Sequence, residues 1–244
     1  MDAGQLLSIF RSRVHDNVAP YLWSDLEAIE FLNDAQNEAA ERARLLRDST
    51  TAEICTVAVT AGTAVYLLDR RIISVERAKL DSQRLPMQIT STPEMDGPRS
   101  ATRPGWPQQW RANGTWLSDS GAGWETQTGT PYFLVLDAEG DRWKATLAGV
   151  PIANDTLRLH VFRLPLADVE DEDDEPEIAP RLHIRLVDWM EYRAYSKKDT
   201  ETYDEKLAAR AAGAFESAFG ERIDANVRRK QEDRSPSVVQ FREF

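Results

Sequence analysis

Cysteine is all but absent from this chain: Cys55 is the only one among 244 residues. That excludes an internal disulfide and a thiolate metal cluster, and it fits a protein of the cytoplasm or a particle assembled there. Histidine is nearly as scarce. His15, His160 and His183 stand far apart with no ligand spacing between them, so no metal and no other cofactor is expected. No run approaches the roughly 18 uninterrupted apolar residues of a membrane span, and the opening residues, Met1 to Phe10, lack the basic region of a secretory signal. Gly-rich phosphate loops, nucleophile elbows and His-Glu-x-x-His helices are missing as well. With no nucleophile beside a base, no catalytic residue is expected, and the chain reads as a non-enzyme.

Charge is present, but unevenly. The formal net charge is −11, and eight of the 41 acidic residues sit in the ten positions from Asp168 to Glu177. Without them, 33 acids face 30 bases, which argues against a surface built to hold nucleic acid. The run has neither the glycine nor the alternating ligands of a calcium loop. It reads as a solvated linker, residues 166–179, in which Asp171, Glu172, Asp173 and Asp174 are the densest stretch.

Apolar periodicity divides the rest. Around Ser24, a good N-cap with Glu27 three residues on, begins a stripe of Leu26, Ile29, Leu32, Ala35, Ala39, Ala43 and Leu46 at helical spacing. From Ser24 to Arg47 such a helix spans roughly 35 Å. Its alanine face lets another helix approach closely. A second helical block begins after Pro180, with a stripe of Leu186, Trp189, Met190 and Ala194, and a further helix runs from Glu201 to Phe219. Gly220 is placed to end it. Between the blocks the period changes to two: Glu53–Val59, Thr63–Leu68, Ile72–Leu80, the hairpin Tyr132–Leu136 with Trp143–Leu147, and Leu157–Leu164 read as strands. The expectation is therefore an α+β chain. Residues 1–51 and 180–225 form a helical bundle from both termini, 52–165 an inserted antiparallel β domain, and 226–244 an extended C-terminal tail.

Two features admit two readings. Five of the seven tryptophans lie between Trp106 and Trp143. They either fill a thin β core and pin a long loop, the reading favoured here, or form a sugar-stacking platform on a carbohydrate-binding module. The tail carries Arg228, Arg229 and Lys230 and ends in Phe241 and Phe244; it is either a frayed terminus or a segment that docks on a partner.

Three blocks then resemble the head-to-tail adaptor, or connector, proteins of tailed bacteriophages. The first is Trp23-Ser-Asp-Leu-Glu-Ala-Ile-Glu-Phe-Leu-Asn-Asp-Ala-Gln-Asn-Glu-Ala-Ala-Glu-Arg42. The second is Gly129-Thr-Pro-Tyr-Phe133 with the strand from Leu157 to Pro165. The third is His183 to Asp199, with Thr200 to Asp204 and Phe215 to Arg222. The resemblance implies a structural virion protein: a ring of about twelve copies that docks on the portal, meets a tail tube or nozzle protein, and lets the genomic DNA pass without specific binding. It places the protein at the head–tail junction, with no membrane partner. It assigns portal docking to Arg228, Arg229, Lys230, Phe241 and Phe244. Ring contacts would fall to Ala35, Ala39 and Ala43 and to the helix carrying Trp189, Tyr192 and Tyr195. On this reading Ala39→Glu blocks assembly and leaves the monomer folded. The acidic run either lines the channel, repelling the DNA backbone, or solubilises a linker.

Overall fold

The computed structural model describes residues 1–92, 95, 124–136, 143–198 and 202–222. These form an α+β protein that divides into two compact units.

One unit takes Met1–Arg47 together with the chain from Phe162 through the last helix. Its helices are α1 (Ala3–Arg13), α2 (Asp25–Ala43), α4 (His183–Ser196) and α5 (Glu205–Phe219). Asp2, Ser24 and Asp204 cap α1, α2 and α5 by accepting from backbone N–H groups of the first turn. The four helices share one core built on Leu6, Phe10, Leu32, Leu186, Met190 and Phe215. Two of the expected helices have other bounds, α2 ending early and α5 starting at Glu205. α2 stops at Ala43 because Arg44 turns left-handed (φ 49°), and the chain enters strand β1 (Leu46–Asp48) instead of continuing to Arg47. α5 turns a face of Ala208, Ala211, Phe215 and Phe219 inward. Tyr203, Leu207 and Ala218 are exposed. The sequence is rich in alanine here, so several helical phases look alike and the two phenylalanines decide the rotation. Gly220 closes α5 with φ 88°, its N–H donating to the Glu216 carbonyl, as its position suggested.

The other unit is Asp48–Val161 in its described part. A short helix, α3 (Ala52–Cys55), precedes β2 (Thr56–Val59), where the sequence had suggested one continuous strand. Asp48 causes the turn: its carboxylate accepts from the backbone N–H groups of Thr50 and Thr51 and from both hydroxyls. The remaining strands are β3 (Val65–Leu67), β4 (Ile72–Leu80), β5 (Gln88–Ser91), β6 (Phe133–Leu136), β7 (Lys144–Ala148) and β8 (Asp155–Arg163). One sheet has the order β1-β8-β2 with β4 also paired to β8; the second has the order β3-β7-β6-β5. In β8 the alternating Leu157, Leu159 and Val161 are fully buried. β6 and β7 pair antiparallel as the expected hairpin, Phe133 opposite Ala148; the connection between them lies outside the described residues.

The domain is not wholly antiparallel. β5 runs parallel to β6, Gln88 opposite Phe133. A parallel pair needs a crossover of a dozen residues or more, and the long stretch between Ser91 and Phe133 provides one. A pattern of alternating residues fixes which face is buried but says nothing about strand direction.

Candidate functional site

The helical unit carries the groups with the densest interactions. At one end, Arg11 on α1 is buried at 7% exposure. Its guanidinium donates to Asp16, to the Trp23 carbonyl and to Asp25, and it stacks over the Tyr21 ring. Asp16 accepts in addition from the backbone N–H groups of Leu22 and Trp23. This knot fixes the loop joining α1 to α2 and presses Trp23 edge-on against Phe10 and Tyr195. Farther along α2, Arg42 bonds Glu38 at 2.8 Å and the Gly220 carbonyl, with its cation over Trp189 and Phe215. Nothing in the helical periodicity announced either arginine.

The acidic run is not a free linker. Ala3 and Gly4, whose N–H groups have no acceptor within α1, donate to the carbonyls of Asp174 and Glu172, both at 2.8 Å. A Cβ on Gly4 would meet that of Glu172 at 3.4 Å, so glycine permits the close approach. Asn33 clamps Val169 in both directions. Arg163 bonds Glu177, and the buried His183 meets the Ile178 carbonyl through Nε2 at 2.8 Å. Val169 and Ile178 are buried, while Asp171, Glu172, Asp173 and Asp174 keep exposed side chains. The charges are solvated, as the composition implied, but the backbone is a strap tied to α1 and α2.

Within the strap, Asp174 accepts from the backbone N–H of Asp171 and then of Glu170, which holds its carboxyl below the usual aspartate range. A depressed carboxylate stabilises the folded turn fully above its ordinary value of 3.8, and that contribution disappears as the pH falls through the lower folded value. The Asp171 amide proton, followed by NMR, should therefore hold its position from pH 8 to pH 5 and move only below about 3.8.

The residues proposed for ring contacts fall in different places. Ala35 and Ala39 have no exposure at all; they are enclosed in the core of the chain itself. The small side chains do allow close helix approach, but to α4 and α5 of the same molecule, so a copy cannot reach them. Ala43 is exposed. Trp189 is mostly buried and donates to Asp34 at 2.8 Å; Tyr192, half-buried, packs against it, and Tyr195, also half-buried, packs against Trp23. Arg228, Arg229, Lys230, Phe241 and Phe244 lie outside the described residues, as do Trp106, Trp110 and Trp116. Trp124 packs with Phe133, Val135 and Ala148 in a small core, a packing role and not an open platform. Trp143 donates to the Arg70 carbonyl. Among the described residues no group of three His, Cys, Asp or Glu side chains converges as a metal site, and no helix is long and apolar enough to cross a membrane.

A family model described as SU10 adaptor protein matches residues 1–240. No curated protein matches the chain.

Proposed function

Since the chain belongs to the SU10 adaptor protein family, we propose that it is a structural adaptor of the phage particle, set at the junction of head and tail and assembled in the host cytoplasm. About twelve copies form a ring on the portal, pass the joint on to a tail tube or nozzle protein, and leave the DNA path continuous. The observation that carries this reading is the family match, which spans nearly the whole chain. The helices from both ends of the sequence form the ring body. The tail beyond Arg222 docks on the portal through Arg228, Arg229, Lys230, Phe241 and Phe244. The strap suits a DNA conduit because its exposed carboxylates repel phosphates and offer the genome no place to stick. No chemistry is assigned to the protein.

Native mass spectrometry of the purified chain, alone and mixed with its portal, tests this. A ring of about twelve copies seated on the portal is the expected result. A chain whose mass is indifferent to the portal overturns the proposal.

A further inference from the structure

Among the described residues of the helical unit, seven large apolar side chains are exposed, and six of them gather at one end. Val18, Tyr21 and Leu22 lie in the loop before α2, Leu26 in its first turn, and Tyr203 and Leu207 flank the start of α5. The two groups lie either side of the Trp23–Tyr195 ring contact. Lys197 bonds Glu27 and the Asp204 N–H donates to the Tyr195 carbonyl, so α4 ends where α2 and α5 begin. Val18 and Leu26 are 79% and 75% exposed, and the Arg11–Asp16 pair holds the loop that carries the first. An apolar cluster of this extent on a compact unit marks a contact surface. Its charges are of both signs, Glu30 and Glu205 with Lys198, Lys206 and Arg210. Charge therefore selects no partner, and apolar character and reach decide what covers the cluster.

Reach singles out the C-terminal segment of the same chain. It departs from the opposite end of the unit, where Arg42 of α2 bonds the Gly220 carbonyl and Arg222 lies 3.7 Å from Glu38. From Arg42 back to Leu26 the distance along α2 is about 24 Å. Residues 223 to 237, fully extended, span up to about 50 Å. Most of them are polar or charged and suited to cross water. Val238, Val239, Phe241 and Phe244 then place four apolar side chains within seven residues. Because it is tethered, this stretch meets the cluster at an effective concentration in the millimolar range, which favours it over untethered partners.

We infer that in the free chain Val238 to Phe244 fold back and cover the apolar end of their own copy, over Val18, Leu22, Leu26 and Leu207. The inference rests on the adaptor reading, in which Phe241 and Phe244 dock on the portal, and adds how that docking is regulated. One segment cannot occupy both places. The portal therefore competes with the cluster for the tail, and the apolar end is uncovered only where a portal has drawn the tail away. Free copies are kept from associating through the cluster, and assembly is confined to the portal.

The test attaches a nitroxide at Ser237→Cys, Cys55 being buried, and follows the amide signals of Leu22, Leu26 and Leu207 by NMR in the full chain. In the free protein these signals should broaden more than those of Arg42 and Ala43, where the tail departs, and adding the portal should restore them. L26E, at an exposed position and with its fold verified by circular dichroism, should lose the broadening. It should also bind the portal about threefold or more tightly than wild type, since no competitor holds its tail. Broadening centred on Arg42 and Ala43, or broadening that survives L26E, overturns the fold-back and leaves the adaptor reading intact. Unchanged portal affinity in L26E overturns the competition. Equal broadening when nitroxide and isotope label sit on different chains overturns the fold-back in favour of a second copy's tail. A chain that folds back but ignores the portal overturns the adaptor reading, and with it the regulation.

Discussion

Ala39→Glu produces a chain whose helical unit fails to fold, not a folded monomer that fails to assemble. Ala39 lies at 0% exposure in the core shared by α2, α4 and α5. A glutamate there must either bury an unpaired carboxylate, at a cost of several kcal/mol, or force the helices apart. Overpacking alone costs about 1–3 kcal/mol, and the two together approach the whole stability of a typical domain, roughly 5–15 kcal/mol. The companion variant Ala43→Glu, one turn on and exposed, should change stability by no more than about 0.5 kcal/mol. Far-ultraviolet circular dichroism and a thermal melt of both proteins check the pair. A cooperative melt for Ala39→Glu close to that of wild type would show that the alanine face is not closed by the chain's own helices.

Arg11→Met should be the second most damaging exchange, although it conserves much of the side-chain volume. Asp16 is 4% exposed and would keep its two backbone donors but lose its countercharge. Leaving one member of a buried ion pair alone costs about 3–5 kcal/mol. At about 4–8 °C per kcal/mol for a unit of this size, the melting temperature falls by at least about 12 °C. The cost lies in the stranded charge, so Arg11→Met combined with Asp16→Asn should lose less than Arg11→Met alone. A double variant that melts lower than the single would mean that the loop depends on the carboxylate itself, through Leu22 and Trp23, and not on the pair.

How much of this was visible beforehand depended on whether the signal was periodic. The stripe of Leu32, Ala35 and Ala39, the inward Leu186 and Met190, and the alternation of Leu157, Leu159 and Val161 all came from spacing. All are buried as spacing required. Leu26 fits the same stripe yet points into solvent, because a stripe gives direction around a helix and not how far neighbours extend along it. The alanine face was read correctly as a close-approach surface, but small residues do not reveal whether the approaching helix belongs to the same chain. The strap was hidden for another reason. Its ties are backbone carbonyls of Glu172 and Asp174, one asparagine, and two apolar residues, Val169 and Ile178, set among eight acids. Composition averages over such anchors. Arg11 was missed because its partners lie five and fourteen residues away and follow no period.

The division of the helical unit between the two ends of the sequence also sets a timetable. A ribosome finishes α2 at Ala43 and does not begin α4 until His183. At about 5–20 residues per second, that gap lasts roughly 7–28 s. Throughout it, Phe10, Leu32 and the alanine face have no α4 or α5 to cover them. The strands from Thr56 to Val161 also wait, β2 for β8 and β3 for β7, but all of them have emerged before α4 begins. The inserted unit is therefore synthesised whole while the helices that precede it wait for their partners. The strap, arriving with Val169 just before α4, is the first late segment able to meet α1 and hold it ready.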